Sequence, residues 1–182
     1  MGGVVKGQVQ IEPVPLTLLS DPLDFFFAEH FRQRKLCNCI ETLAEADSLD
    51  HNLAAEVLAF LHHDIALHVQ DEEEGLFPLL RRRCAPEDDI EKVFTALLSE
   101  HAGDRHLADK IVSGLEAALA DDRPVGAQAE LRDVMVDFAR NERRHLALEN
   151  SVVLPLARRR LSEDDLAALS ANMIERRRGR AG

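Results

Sequence analysis

The chain contains one helical unit twice, and this internal repeat constrains its fold more than any other feature. Residues 68–83 and 145–160 both read His-x3-Glu, then an apolar stretch, a proline and three arginines, with seven identities between the copies. The preceding element also occurs twice, since residues 29–40 and 100–111 share the pattern Glu-His-x3-Arg-x-Leu-x3-Ile. Two copies of a two-element unit predict a pair of helical hairpins related by an approximate twofold axis.

The composition favours one soluble, helical domain. The 182 residues suffice for a single domain with a sizeable core. Few glycines and prolines accompany many Leu, Ala, Glu and Arg residues, which favours helix. The formal net charge of −11 argues against nucleic-acid binding, because phosphate contacts need a cationic surface. The basic run 176–180 is interpreted as a solvated helix end whose cations complement the helix dipole.

Several features bear on the compartment of the protein. The N-terminus has no signal-peptide pattern, and no stretch approaches the roughly 18 apolar residues of a membrane span. Cys37, Cys39 and Cys84 lack CxxC spacing, so they predict neither a disulfide framework nor a thiolate metal site. These features predict a cytoplasmic protein that does not bind membranes.

Local signals divide the chain into an arm, a bundle and a tail. Glycines and prolines predict an extended N-terminal arm over residues 1–20. Residues 21–161 are predicted to form an all-α, antiparallel up-down four-helix bundle, followed by a short C-terminal helix and basic tail over residues 162–182. The prolines of the repeat are predicted to kink the last turns of the second and fourth helices. The predicted helices run from Asp21 to about Ala46, from Asp50 to Arg83, from just after Pro86 to about Leu119, from about Gly126 to Leu161, and from Ser162 to just before Gly179.

Six side chains that bind metals well fall on core-facing stripes of these helices. His68 and Glu72 continue the apolar stripe of the second helix, and His145 and Glu149 continue that of the fourth. Burying ionised carboxylates is costly unless cations neutralise them. A single core histidine is more often a packing residue than a ligand, but six residues related by a repeat favour a two-metal centre. The predicted ligands are His30, His68, Glu72, His101, His145 and Glu149.

The repeat also suggests how these ligands divide between two ions. We assign His30 and His68 to one ion, His101 and His145 to the other, and both glutamates as bridges. Neutral imidazole with carboxylate suits iron, manganese or zinc.

Other polar residues near the predicted ligands receive weaker interpretations. Glu29, Glu100 and Glu142 are predicted to form salt bridges with arginines, with hydrogen bonds to imidazoles as the alternative. The acidic run of Asp71, Glu73 and Glu74 is interpreted as a solvated face. Arg34 and Arg105 occur in both copies and fit either carboxylate partners or helix-capping cations. Four histidines lack a repeat partner, and most of them are predicted at helix flanks or in solvent: His51, His62, His63 and His106.

At these residues the chain resembles the hemerythrin-like, HHE cation-binding family over roughly residues 20–160. The resemblance implies a four-helix bundle with two Fe ions, bridged by two carboxylates and by an oxo or hydroxo group, and its ligand positions match the six residues above. The oxygen-carrying members differ, with His-x3-His in the third helix and His-x4-Asp in the fourth. Here Arg105 follows His101, and the fourth helix carries His-x3-Glu, which disfavours reversible oxygen transport.

Three functions remain open from the sequence. The first is a di-iron protein that binds or senses O2, NO or iron. The second is an enzyme that uses the same centre to reduce peroxide or nitric oxide, or an iron donor for iron-sulfur cluster repair. The third is a metal-free helical bundle that acts as an interaction module. No repeated general acid or cofactor motif accompanies the predicted ligands, which favours binding over catalysis. A homodimer is compatible with all three.

Overall fold

The computed structural model describes residues 11–179, in which the chain forms four long helices and a shorter one. No strand occurs in this part of the chain, so the predicted all-α class is confirmed. The helices are α1 (Pro22–Glu45), α2 (residues 51–83), α3 (Ile90–Asp121), α4 (residues 129–160) and α5 (Glu163–Gly179).

The start of α1 follows from its local sequence. Pro22 occupies the first turn, and the Asp21 carboxylate accepts a hydrogen bond from the backbone N–H of Asp24 at 3.1 Å. The extended arm predicted over residues 1–20 is wrong for its last part, because Leu16–Ser20 form a 3-10 helix. A residue of α5 stabilises this 3-10 helix, because the Ser170 hydroxyl donates a hydrogen bond to the carbonyl of the buried Leu19. Residues 1–10 of the arm and residues 180–182 of the tail lie outside the described residues.

Both repeats contain a π-helical turn that begins at the glutamate of His-x3-Glu. In α2 this turn is Glu72–Leu76, and in α4 it is Glu149–Val153. A proline follows each turn, where its ring would clash with the carbonyl four residues earlier in a regular α-helix. A π turn is one way to absorb that clash. The helices therefore continue past their prolines through a widened turn. A further π turn, Phe60–Asp64, lies earlier in α2.

The core has two apolar parts, and the six predicted ligands lie between them along the helices. One part contains Leu36 of α1, Ile111 of α3 and Phe138 of α4. The other contains residues from the opposite stretches of the same helices, together with Phe77 and Leu169. In α1, α3 and α4 the predicted ligands stand between the stretches that supply these two parts. The site is thus a polar band inside an apolar bundle.

Helix contacts agree with a hemerythrin-like bundle. Helix α1 packs along α4, and α4 packs along α3. The direction in which the four helices run stays a prediction. None of the helices within residues 11–179 combines the length and apolar character needed to cross a bilayer.

Helix α5 covers one end of the bundle and touches the π turn of the first repeat. It begins with a capping box, in which the backbone N–H of Asp165 donates to the Ser162 hydroxyl and the N–H of Ser162 donates to the Asp165 carboxylate. A Cβ atom on Gly75 would lie 2.8 Å from Leu169 Cδ1. The glycine therefore lets α5 approach the turn that follows Glu72.

Candidate metal centre

All six predicted ligands converge in the band between the two apolar parts. Each is buried, with at most 6% of its surface exposed. Their potential ligand atoms form two overlapping groups, within each of which the atoms lie no more than 4.8 Å apart. One group is His30, His68, Glu72 and Glu149; the other is Glu72, His101, His145 and Glu149.

The two glutamates lie between the histidine pairs and present different oxygens to each. Glu72 Oε1 lies 3.2 Å from His68 Nε2, whereas Glu72 Oε2 lies 3.4 Å from His101 Nε2. Glu149 Oε2 lies 3.3 Å from His30 Nε2, whereas Glu149 Oε1 lies 3.2 Å from His145 Nε2. This arrangement is what a carboxylate needs to bridge two cations.

Several of these atoms have no hydrogen-bond partner anywhere in residues 11–179. They are the Nε2 atoms of His30 and His68, Oε2 of Glu72, and both carboxylate oxygens of Glu149. Buried carboxylate oxygens without partners are strongly unfavourable unless a cation neutralises them. Imidazole nitrogens and carboxylate oxygens are also a donor set that divalent transition metals prefer. The residues present therefore fit a pair of metal ions.

The glutamates shift the protonation of the histidines. Burial lowers the pKa of His68, but the adjacent Glu72 carboxylate outweighs it and brings this pKa to about 9. Burial likewise opposes protonation of His145, and Glu149 outweighs it to give a pKa of about 10. Burial raises the pKa of Glu72, but the charge on His68 and the other nearby imidazoles outweigh burial and bring this pKa below its usual value. The adjacent carboxylates therefore favour the protonated form of the His68 and His145 imidazoles.

Over residues 21–157 the sequence matches the family model described as the hemerythrin HHE cation binding domain. The chain belongs to this family. A search of curated proteins finds no match. Cation binding follows from membership of the HHE family, and the two His and Glu groups are where the structure could hold the cations.

In this HHE domain, hydrogen bonds to the Nδ1 atoms orient three of the imidazoles. His30 Nδ1 donates to Asn150 Oδ1 at 3.0 Å. His101 Nδ1 lies 2.8 Å from Glu73 Oε1, and His145 Nδ1 lies 3.1 Å from Glu100 Oε2. Such contacts turn the Nε2 atoms toward a shared centre.

These contacts correct one prediction and reveal a residue that the sequence analysis missed. The placement of Glu73 on a solvated face is wrong, because it is bonded to a buried imidazole. Asn150 was not singled out at all. Glu73 and Asn150 each directly follow a glutamate of the repeat, so their shared position was the signal that could have identified both. Glu100 combines its two predicted roles, since it also pairs with Arg144 at 3.1 Å.

The acidic and basic runs of the HHE domain are less solvated than predicted. Asp71 is fully buried, and its carboxylate accepts hydrogen bonds from Arg176 at 2.9 Å and Arg177 at 2.7 Å. The predictions that Asp71 belongs to a solvated face and that the basic end is solvated are therefore wrong for these three residues. Asp71 can be buried because the positive charges of the two arginines neutralise its carboxylate. Glu74 is exposed, as predicted.

The remaining candidates belong to neither group. Glu29 forms the predicted salt bridge, with Arg32 at 3.0 Å. Glu142 is buried, burial raises its pKa to about 7, and its Oε1 finds no hydrogen-bond partner in the described chain. All three cysteines are free. The four histidines that lack a repeat partner are exposed: His51, His62, His63 and His106.

Proposed function

We propose that this HHE domain holds a dinuclear iron centre that binds or senses O2, NO or peroxide. His30 and His68 hold the ion at what we call the first position, and His101 and His145 hold the ion at the second position. Glu72 and Glu149 bridge the two. The observation that carries this proposal is that each glutamate directs one oxygen toward each histidine pair.

The choice of iron rests on the family resemblance, since manganese and zinc accept the same donors. When bound, two iron ions supply the redox chemistry and the affinity for diatomic ligands or peroxide that these side chains lack. A cytoplasmic location is part of the proposal, because free cysteines suit a reducing compartment.

The chain's own contribution is to fix the orientation of the donors. Phe26 packs edge-on against the His68 ring at 5.6 Å, and Phe77 stacks against His101 at 6.2 Å between ring centroids. The hydrogen bonds to the Nδ1 atoms fix ring orientation from the other side. Together these contacts present the Nε2 atoms to the two bridging carboxylates.

Metal analysis with spectroscopy tests the proposal. Metal-free protein is loaded anaerobically with Fe(II), freed of excess metal, and measured for iron per chain and by Mössbauer and absorption spectroscopy before and after exposure to air. We expect two iron ions per chain and charge-transfer absorption from a bridged diferric pair after oxidation. Glu149→Ala should bind fewer than two iron ions per chain and lack the charge-transfer absorption, while its circular dichroism remains helical.

The exposed neighbour Glu74 offers a matched control, because Glu74→Ala removes a carboxylate from the same region without touching either group. This variant should load like the parent protein. A parent protein that binds one ion or none under these conditions would contradict the dinuclear proposal.

A further inference from the structure

A cavity of about 390 Å³ lies beside the proposed metal positions, between α2 and α3. Three of the proposed ligands, His68, His101 and His145, form part of its wall. Four exposed residues also line it, so the cavity reaches the protein surface: His62, Ala66, Arg105 and Asp109. A molecule that enters from solvent can therefore reach the imidazoles through it.

Two buried polar groups in the cavity wall have unmet hydrogen-bonding capacity. Gln33 of α1 is 1% exposed and Glu142 of α4 is 4% exposed, and both line the cavity. Within residues 11–179, Gln33 Nε2 and Glu142 Oε1 have no hydrogen-bond partner. A buried polar group without a partner destabilises a fold, so an unmet donor and an unmet acceptor on residues of one cavity wall point to a molecule that binds both.

The rest of the wall is largely apolar, which suits the body of a larger molecule. The volume exceeds what a diatomic ligand needs, because one water molecule takes up only about 30 Å³ in the liquid. Cavities of this size and lining are typical of sites for small organic ligands. The apolar lining residues are Leu61, Ile65, Ala66, Val69, Ala108 and Val112.

The polar groups in the wall favour an uncharged head on that molecule. A hydroxyl group can accept a hydrogen bond from Gln33 Nε2 and donate one to Glu142 Oε1. An anionic head would be repelled by the carboxyl groups of Glu142 and Asp104, which also lines the cavity. A cationic head would be repelled by the two metal ions proposed on the other side of the imidazoles.

We propose that this cavity binds a small amphiphilic molecule with a terminal hydroxyl or hydroperoxyl group, which Gln33 and Glu142 hold through hydrogen bonds. The apolar body lies along α2 and α3. This inference rests on the proposed function, because the cavity wall includes three of the proposed metal ligands. It adds the ligand class, with alkyl hydroperoxides as the reactive members and simple alcohols as inert probes.

Binding of 6-bromohexan-1-ol tests this inference without any chemistry at the metals. Crystals of the metal-loaded protein are soaked with the alcohol, and the anomalous signal of bromine shows where its body lies. Calorimetry on the same preparation gives the affinity. We expect the hydroxyl group within hydrogen-bond distance of Gln33 and Glu142, and an affinity at least tenfold lower in Gln33→Met, which keeps the shape but removes the donor.

Gln70 on α2 supplies the matched control, because it is not among the residues that line the cavity. Gln70→Met should bind the alcohol like the parent protein. A second variant, Glu142→Met, should also weaken binding by at least tenfold. It tests the same site if Gln33→Met does not fold. An alcohol found outside the cavity, or unchanged affinity in both cavity variants, would overturn the inference.

The iron content of every sample separates this inference from the proposed function. Variants that keep two ions per chain but lose the alcohol support the ligand site. A parent protein that keeps two ions and binds no alcohol refutes the ligand site alone. A parent protein that binds the alcohol but takes up no metal refutes the dinuclear centre and leaves the cavity assignment standing.

Discussion

The two proposed metal positions have the same kinds of ligand, but the residues that hydrogen-bond to their histidines differ. His30 at the first position is bonded to Asn150, and His101 at the second is bonded to Glu73. Asn150 and Glu73 occupy the same place in the two repeats, and each supports the imidazole of the other copy. The same contact therefore occurs in both directions between the repeats, but the partner of His30 is a neutral amide and the partner of His101 is a carboxylate.

A second difference also places a carboxylate at the second position and not at the first. Glu100 reaches the imidazole of His145 at the second position. Its counterpart Glu29 instead accepts two hydrogen bonds from Arg32, at 3.0 and 3.1 Å. The second position therefore has carboxylates behind both of its imidazoles, which makes those imidazoles better donors. We expect the second position to bind its cation more tightly than the first.

Removal of one histidine from each position should have the largest effect. His145→Ala should empty the second position and His68→Ala the first, because each loses one of its two imidazoles. The affinity of the affected position should fall by more than about 100-fold, the upper end for loss of a group behind a ligand. Iron content after loading should drop from two ions per chain toward one. Equal loss of both ions in both variants would show that the positions fill only together.

The repeats also differ in what covers their π turns. Arg176 and Arg177 of α5 neutralise the buried Asp71 just before the turn of the first repeat. The double change Arg176→Met with Arg177→Met leaves this carboxylate buried and unpaired. We expect it to lower the free energy of unfolding by about 3 to 5 kcal/mol, measured by urea denaturation.

The exposed Arg178 provides the control for this pair, because Arg178→Met removes a cation from the same helix end. It should change the unfolding free energy by no more than about 0.5 kcal/mol. A double variant as stable as this control would show that Asp71 is neutralised by another group.

Changing the residues that hydrogen-bond His101 and His30 should reduce the expected difference in affinity, because Glu100 still supports His145. Glu73→Gln should weaken the second position by about 10- to 100-fold, as is usual for the partner of a ligand histidine. Asn150→Asp should strengthen the first position, because a carboxylate then accepts the hydrogen bond from His30. Stepwise titration with Fe(II), followed by calorimetry, gives both affinities, and Glu74→Gln is the matched control. Unchanged affinities in Glu73→Gln would remove the basis of the comparison.

The sequence alone was sufficient to predict the all-α class and the six residues that converge. Both depend on local rules, since residues four apart on a helix share a face and a repeat places two such faces together. The partners of the imidazoles were harder to find because Glu73 and Asn150 act across the repeats. Asp71 was misjudged for a similar reason, since its arginine partners lie more than 100 residues further along the chain.

The pH dependence of metal uptake should show the smallest difference between the positions. Below a pKa of about 9 at His68 and about 10 at His145, a metal must displace a proton from the imidazole that it binds. Affinity should therefore rise by about tenfold per pH unit for each proton displaced, and level off once the pH exceeds the pKa. The second position should keep gaining affinity to a higher pH than the first, because the pKa of His145 is raised further than that of His68. Titrations with Zn(II), a redox-inert probe, in buffers of different ionisation enthalpy measure the protons released at each step. Proton release that is identical at both steps from pH 7 to pH 10 would contradict this difference, because the more basic imidazole at the second position must keep its proton to higher pH.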